Sequence, residues 1–446
     1  MRVTIGPSES SVTESVPTAT SRRAWLVWSV AAACYFVALF HRASLAVAAD
    51  AALDRFSAGP AALSVLSALQ LGIYLALQIP AGVLADRIGP RRLITGATLA
   101  LAVGSAVFAV SASLVGGLAG RALIGLGDAF LFTNVLRLAA HWFPAERFGR
   151  IAALTGLVGG VGQLAATAPL ATSLRVLGWL GTFLGAAGLT AVLAVSAWAM
   201  VRDRPRVVDS GDAVGRPSSA REVEPVRVAL RAVVTTPGTW HSFWVHFVMM
   251  GQFVAVTVLW GPPWLMRAQG YGAAAAGNWV LLCVAGFLVG AWACGQFVAG
   301  RPARRERFVL VLSLLLAVVW LTVIGWPGVL PVALLAVLLV LIGIGGGAAM
   351  LAFDGARTVN AAHRSGLAVG TANMGGFTAA VLIQLAVGGV LRVAEGLAAG
   401  PSYRLAYVPV LLVIVVGALG QLRQSRRARG VGRGRARFQG TRPTPT

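Results

Sequence analysis

Ionisable side chains are scarce wherever this chain turns apolar, and three of them invite a chemical reading. Of fifteen acidic residues, Asp128 alone falls in the middle of a long apolar run, and among the arginines only Arg42 and Arg121 lie well inside one. A charge at membrane depth costs at least about 2.5 kcal/mol, so such residues are functional candidates by default. Arginine suits a planar carboxylate or phosphate, to which it donates paired, charge-assisted hydrogen bonds that lysine cannot reproduce. A carboxyl in the same poorly solvated setting is a candidate proton carrier. His41, beside Arg42, adds a second titratable group with an ordinary pKa near about 6.5. Tyr35 precedes Arg42 by seven residues, as Arg121 precedes Asp128, so on a helix each pair shares a face about 10 Å apart. With the first apolar run ending near residue 47 and the fourth beginning near 116, Arg42 and Arg121 share a level about 8 Å below one surface. Tyr35 and Asp128 then lie together beneath them. The expected arrangement is an anion site with a proton switch below it, Arg121 supporting Asp128. The plainer readings are that Arg42 reaches to the surface, that Arg121 binds backbone carbonyls, and that Asp128 is its permanent ion-pair partner.

The elements that must position these residues follow from composition. The chain has 446 residues, 57% hydrophobic and 12% charged, with a mean hydropathy of +0.78 and a net charge of +22. A soluble domain carries about 25% charged residues, and disorder needs low hydrophobicity. An all-α polytopic membrane protein remains. Stretches of about 20 apolar residues fall near 24–47, 61–84, 93–113, 115–139, 150–171, 178–201, 240–262, 275–299, 308–326, 329–352, 366–390 and 404–421, predicting twelve transmembrane helices. Arginines concentrate in alternate loops, which places both termini on the cytoplasmic side; the expected location is a bacterial inner membrane. The polar stretch 202–238 divides a first bundle, 24–201, from a second, 239–422, flanked by an N-terminal tail, 1–23, and an arginine-rich tail, 423–446. All 37 basic residues are arginine, eight of them between Arg423 and Arg442, so the positive charge reads as topological and nucleic acid is not an expected partner. Cys34, Cys283 and Cys294 all lie in apolar stretches with no metal-binding spacing, and no cofactor is expected.

A weak internal repeat supports the two halves. Gly82-Val-Leu-Ala-Asp86-Arg87-Ile-Gly89-Pro-Arg91-Arg92 follows the second span, and a segment opening at Gly295 and closing on Arg304-Arg305 follows the eighth. Two six-helix bundles related by an axis along the membrane normal are a transporter architecture. The first segment resembles the signature loop of the major facilitator superfamily, with Pro90 intervening before the arginine pair. Arg121-Ala-Leu-Ile-Gly125-Leu-Gly127 resembles its second motif. Tyr35 to Ala48, the run from Tyr74 through Pro80 to Gly82, and Arg121 to Ala129 followed by Trp142-Phe-Pro144-Ala-Glu146-Arg147 resemble the anion:cation symporter branch. That resemblance implies that Arg42 and Tyr74 contact an organic anion, that Asp128 carries a proton, and that Arg121 belongs to the site. The branch commonly has Asp where this chain has His41, which leaves the coupling ion open between a proton and another cation.

Gly82, Asp86, Arg87, Gly89, Arg91 and Arg92 read as a gating motif in which Asp86, Arg87, Arg91 and Arg92 make inter-helix salt bridges rather than touch substrate. Gln163, Asn278, Asn373 and Gln384 are membrane-depth polar groups that either line a cavity or link helices; Asn373, beside small neighbours, is kept among the substrate candidates. His246 reads as a hydrogen-bonded core residue, and Gly343 with Gly345 to Gly347 as a site of close helix packing. The expected activity is secondary active transport of a small organic anion by a monomer in the lipid bilayer. Proton-driven efflux of an apolar or cationic compound is the alternative, and a non-transporting sensor or scaffold the remote one. No nucleophile triad is present and an enzyme is not expected.

Overall fold

The computed structural model describes residues 22–204, 224–298, 302–361 and 364–439, and every regular element among them is a helix. Helix α1 (Arg22–Val47) forms the first span and is followed by the short α2 (Ala49–Phe56); α3 (Pro60–Ala76) and α4 (Gln78–Ile88) form the second span, α5 (Pro90–Val110) the third and α6 (Leu114–Trp142) the fourth. Helices α7 (Ala145–Ala165) and α8 (Ala168–Met200) hold the fifth and sixth, and α9 (Val226–Thr235) lies in the central connection. The seventh span joins α10 (Pro237–Ala255), a π-helical stretch Val256–Trp260 and α11 (Gly261–Arg267). Then come α12 (Ala273–Val298), α13 (Pro302–Gly325), α14 (Val332–Ala348) with α15 (Met350–Thr358), α16 (Ser365–Val393), and α17 (Ala399–Ala406) with α18 (Val408–Gln439).

Ten stretches of the described residues are long and apolar enough to cross a membrane. One of them, Arg150–Met200, has 51 residues, more than twice the roughly 20 a span needs. It breaks at Gly178, whose φ of 67° suits a residue without a Cβ. The seventeen-residue α3 continues through Leu77 into α4. Counting both features gives the twelve spans expected. The first span, Arg22–Val47, ends where expected; the short α2 then carries the chain on to Phe56, where Ser57 turns it and α3 departs at 109°. One boundary differs from expectation. At the other end, α18 continues past 421 through the arginines to Gln439.

Lipid offers helices no hydrophobic reason to associate, so close packing relies on small residues. The glycine run of α14 shows this against α12. A Cβ on Gly343 would sit 2.0 Å from the Cys283 carbonyl oxygen, and one on Gly347 2.1 Å from that of Phe287. Gly343→Ala is therefore expected to cost about 1–3 kcal/mol of overpacking, seen as a lowered unfolding temperature in detergent. Gly185→Ala, where nothing lies within 4 Å, should leave it unchanged.

The two halves meet along α3 and α16. Ser64 lies against Gly388, the Tyr74 and Phe377 rings are 4.3 Å apart, and Asn373 Nδ2 donates to Gln78 Oε1 at 3.2 Å. At the end away from the arginine-rich face, called the outer end below, Arg267 of α11 forms an ion pair with Asp50 of α2. A second seam runs where Gly277 of α12 approaches Thr167 and Ala168.

Candidate functional site

The register of α1 against α6 decides what Arg42 meets. Arg55 Nε donates to the Ser111 carbonyl at 2.9 Å at the outer end, and farther in the Tyr35 and Phe132 rings lie 5.2 Å apart. Between these points Arg42 falls opposite Gly125, midway between Arg121 and Asp128: its side chain reaches inward to Asp128, while that of Arg121 reaches the His41 carbonyl. Arg42 Nε donates to Asp128 Oδ2 at 2.7 Å and its Nη2 to Oδ1 at 2.8 Å, a two-pronged ion pair. Asp128 is 0% exposed and Arg42 8%. The level expected for Arg42 is about one turn too far outward, because the end of α1 at Val47 does not by itself fix its register against α6.

Two rings from opposite halves cover the pair. The Arg42 guanidinium carbon lies 4.6 Å from the Tyr74 ring centroid and 5.4 Å from that of Phe377, within reach of cation–π attraction. The charge pair thus sits where the halves touch. Asn373 is one turn before Phe377 on α16, fastened to Gln78 rather than to the charges. Tyr35 packs on Phe132 and Gly159, deeper than Arg42.

Arg121 does not support Asp128 by direct contact. Fully buried, it donates from Nη1 to the His41 carbonyl at 3.1 Å and lies 5.6 Å from the Phe108 ring, while Nε and Nη2 have no partner among the described residues. The plainer expectation, an arginine on a backbone carbonyl, describes that one bond. His41 Nε2 lies 2.9 Å from Thr190 Oγ1, whose single proton goes to the Ala186 carbonyl at 2.7 Å. Nε2 is therefore the protonated nitrogen, and Nδ1 is left without a partner. With His41 neutral, two guanidiniums and one carboxylate leave the buried cluster with one uncompensated positive charge.

On the arginine-rich face, Gly89 occupies the turn between α4 and α5 with a φ of 85°. Among the described residues Arg91 has no salt bridge to a neighbouring helix; its backbone N–H donates to Asp203 Oδ1 at 2.6 Å and its Nη2 to the Trp198 carbonyl at 2.7 Å. Asp203, just after α8, is a partner of Arg91 that carries no signal in the sequence beyond its flanking arginines. Arg92 is exposed. Gly82 and the side chains of Asp86 and Arg87 lie outside the described residues. Two further ion pairs tie this face, Arg305 to Asp354 at 2.8 Å and Arg364 to Glu224 at 2.5 Å. The hydrogen bonds to Glu224 hold the Arg364 guanidinium above its ordinary pKa. Deeper, His246 Nδ1 accepts from the Gly376 N–H at 3.0 Å, which links α10 to α16 beside Phe377.

A many-helix membrane protein whose halves meet over a buried charge cluster has the build of a transporter. The profile described as Major Facilitator Superfamily matches residues 31–384, and the chain belongs to that family. Its members bind small-molecule substrates and are transporters, not enzymes. Among solved structures, a bacterial homolog of the human lysosomal transporter Spinster, inward-facing and unoccupied, aligns with a TM-score of 0.72 over 96% of this chain and all of its own, at 16% identity. A Cupriavidus necator protein named "Probable sulfoacetate transporter" is 23% identical over 55% of this chain. The "Multidrug resistance protein B homolog" of Mycobacterium tuberculosis is 32% identical over 32% of it. The matches span 58% and 27% of those relatives' own lengths.

Proposed function

We propose that this protein moves a small organic anion across a bacterial inner membrane by alternating access, coupled to a proton. The observation that carries the reading is the two-pronged Arg42–Asp128 pair, buried between the halves under Tyr74 and Phe377. An entering carboxylate or sulfonate competes with Asp128 for the same guanidinium edge. Protonating Asp128 frees that edge, so proton and anion bind together. A proton with a monoanion leaves the cluster's single positive charge unchanged, so the loaded and empty sites cross with the same charge. A dianion would need a second proton, for which His41 Nδ1, lacking a partner, is the available base. Arg121 supplies the excess charge, while Tyr35 and Asn373 complete the walls.

The halves 24–201 and 239–422 rock about this site, with the central loop 202–238 and both tails in the cytoplasm. The segment Gly82 to Arg92 forms the inner gate, and the working unit is a monomer. The name of the Cupriavidus necator relative fits the anion reading, since sulfoacetate carries a sulfonate and a carboxylate. The multidrug-resistance relative, with Met249, Met250, Phe253 and Trp260 buried along the seventh span, favours efflux of an apolar or cationic compound as the second reading.

Uptake of radiolabelled sulfoacetate and simple carboxylates into proteoliposomes under an imposed pH gradient separates these readings. Uphill uptake of an anion, abolished by a protonophore, is expected, and Asp128→Asn should keep exchange while losing accumulation. Accumulation by Asp128→Asn would refute the coupling role, and unchanged affinity in Arg42→Ala would refute the anion site. Resistance to apolar cations without anion uptake would favour efflux.

A further inference from the structure

A recess of about 550 Å³ opens on the arginine-rich face between α12 and α13, lined by Phe297, Arg304, Arg307, Phe308 and Val311. On α13 these residues fall at positions i, i+3, i+4 and i+7, a single face of one helix. Arg304 and Arg307 lie at the helix start, and both are exposed. Neither has an ion-pair partner among the described residues, whereas Arg305, on another face, is held by Asp354 and Thr358. Phe308 packs on Phe297 of α12 with ring centroids 4.7 Å apart. Beyond Val311 the stripe continues through Leu314 and Val318, which are 57% and 58% exposed. From Arg304 to Val318 the helix rises by roughly 21 Å. Charge at the membrane surface thus gives way, beyond the recess, to an exposed apolar stripe whose length is about the depth of one leaflet.

We infer that this recess binds an anionic phospholipid of the adjoining leaflet, its phosphate on Arg304 and Arg307 and an acyl chain along Phe297, Phe308, Val311 and Leu314. A guanidinium pair matches phosphate oxygens, and basic recesses on the cytoplasmic side of helical membrane proteins recognise such head groups. No carboxylate lines the recess to receive the ammonium of a zwitterionic lipid. The site lies apart from the Arg42–Asp128 cluster, so it stands whether or not the transported compound is an anion.

Native mass spectrometry of the purified full chain titrated with phosphatidylglycerol, phosphatidylcholine or inorganic phosphate tests the inference. Wild-type protein is expected to retain phosphatidylglycerol in preference to the other two. R304Q/R307Q should bind it about thirty-fold more weakly, since each basic residue near an anionic surface contributes roughly a factor of five. The charge-matched control R426Q/R427Q removes two exposed arginines of α18 and should behave as wild type. Equal loss in both double variants would reduce the effect to general surface charge and overturn the site. Equal retention of phosphatidylcholine, or capture of inorganic phosphate as tight as that of the lipid, would also overturn it. As these arginines are exposed and unpaired, unfolding temperatures of the variants should match wild type; Phe297→Ser, which keeps the charges, should still weaken lipid retention.

Discussion

Arg42→Met is expected to destabilise the protein by about 3–5 kcal/mol and to abolish transport, because it strands a fully buried carboxylate without its partner. What is lost is the pair of charge-assisted hydrogen bonds to a desolvated carboxylate; Arg121 remains, so the net charge of the cluster falls from one positive to zero. Acidic pH neutralises the stranded carboxyl and should shrink the loss. The double variant R42M/D128L separates fold from function. Replacing a buried ion pair by apolar residues of similar volume is often neutral or stabilising, so the double variant should unfold near the wild-type temperature while remaining inactive. Chemical unfolding in detergent measures the first outcome, and proteoliposome uptake the second. If Arg42→Met were as stable as wild type, the carboxyl would not be ionised in the resting protein, and the competition assigned to Arg42 would fail.

The charges themselves were legible in the sequence, because a lone Asp and two Arg in apolar runs stand out against a background with almost no others. Their pairing was not. The end of the first span at 47 is legible, but the end of a span does not fix its register against a neighbouring helix. The packing of α1 on α6 sets Arg42 about a turn deeper than a count from that end implies, so that its guanidinium meets Asp128 while Arg121 reaches the His41 carbonyl. Tyr74 was reached through family resemblance, whereas Phe377 carried no signal, since a phenylalanine in an apolar helix looks the same on any face. The glycine run of α14 was read as close packing because small residues have few other uses there, and α12 is where it packs. The anchoring of Arg91 to Asp203 depends on a turn about 110 residues later in the chain, which periodicity cannot supply.

Replacing Gln70 and Gln384 together by leucine is expected to raise the unfolding temperature and stop transport. The pairs Ser64–Gly388, Tyr74–Phe377 and Gln78–Asn373 set the antiparallel register of α3 and α16, which brings Ser67 level with Gln384 and Gln70 a turn farther in. All three are no more than 1% exposed, and the Ser67 hydroxyl and both amide groups of the glutamines have no partner among the described residues. An unmade hydrogen bond on a buried polar group costs about 1–3 kcal/mol. In the rocking motion proposed above, this cost falls on the state whose outer seam is closed, because parting α3 from α16 admits water to the same atoms. The Asp50–Arg267 pair holds that seam from outside, but both partners are more than a third exposed, and such pairs contribute only about 0–1 kcal/mol. The orphaned amides therefore outweigh it. Removing several kcal/mol of penalty from one state approaches the roughly 5.5 kcal/mol that carries a balance from 1:99 to 99:1, so the double variant should be trapped with its outer end shut. Spin-label distances between the outer ends of α2 and α11 should then collapse to one short population. A double variant that cycles at the wild-type rate with a broad distance distribution would show that this seam does not part during transport.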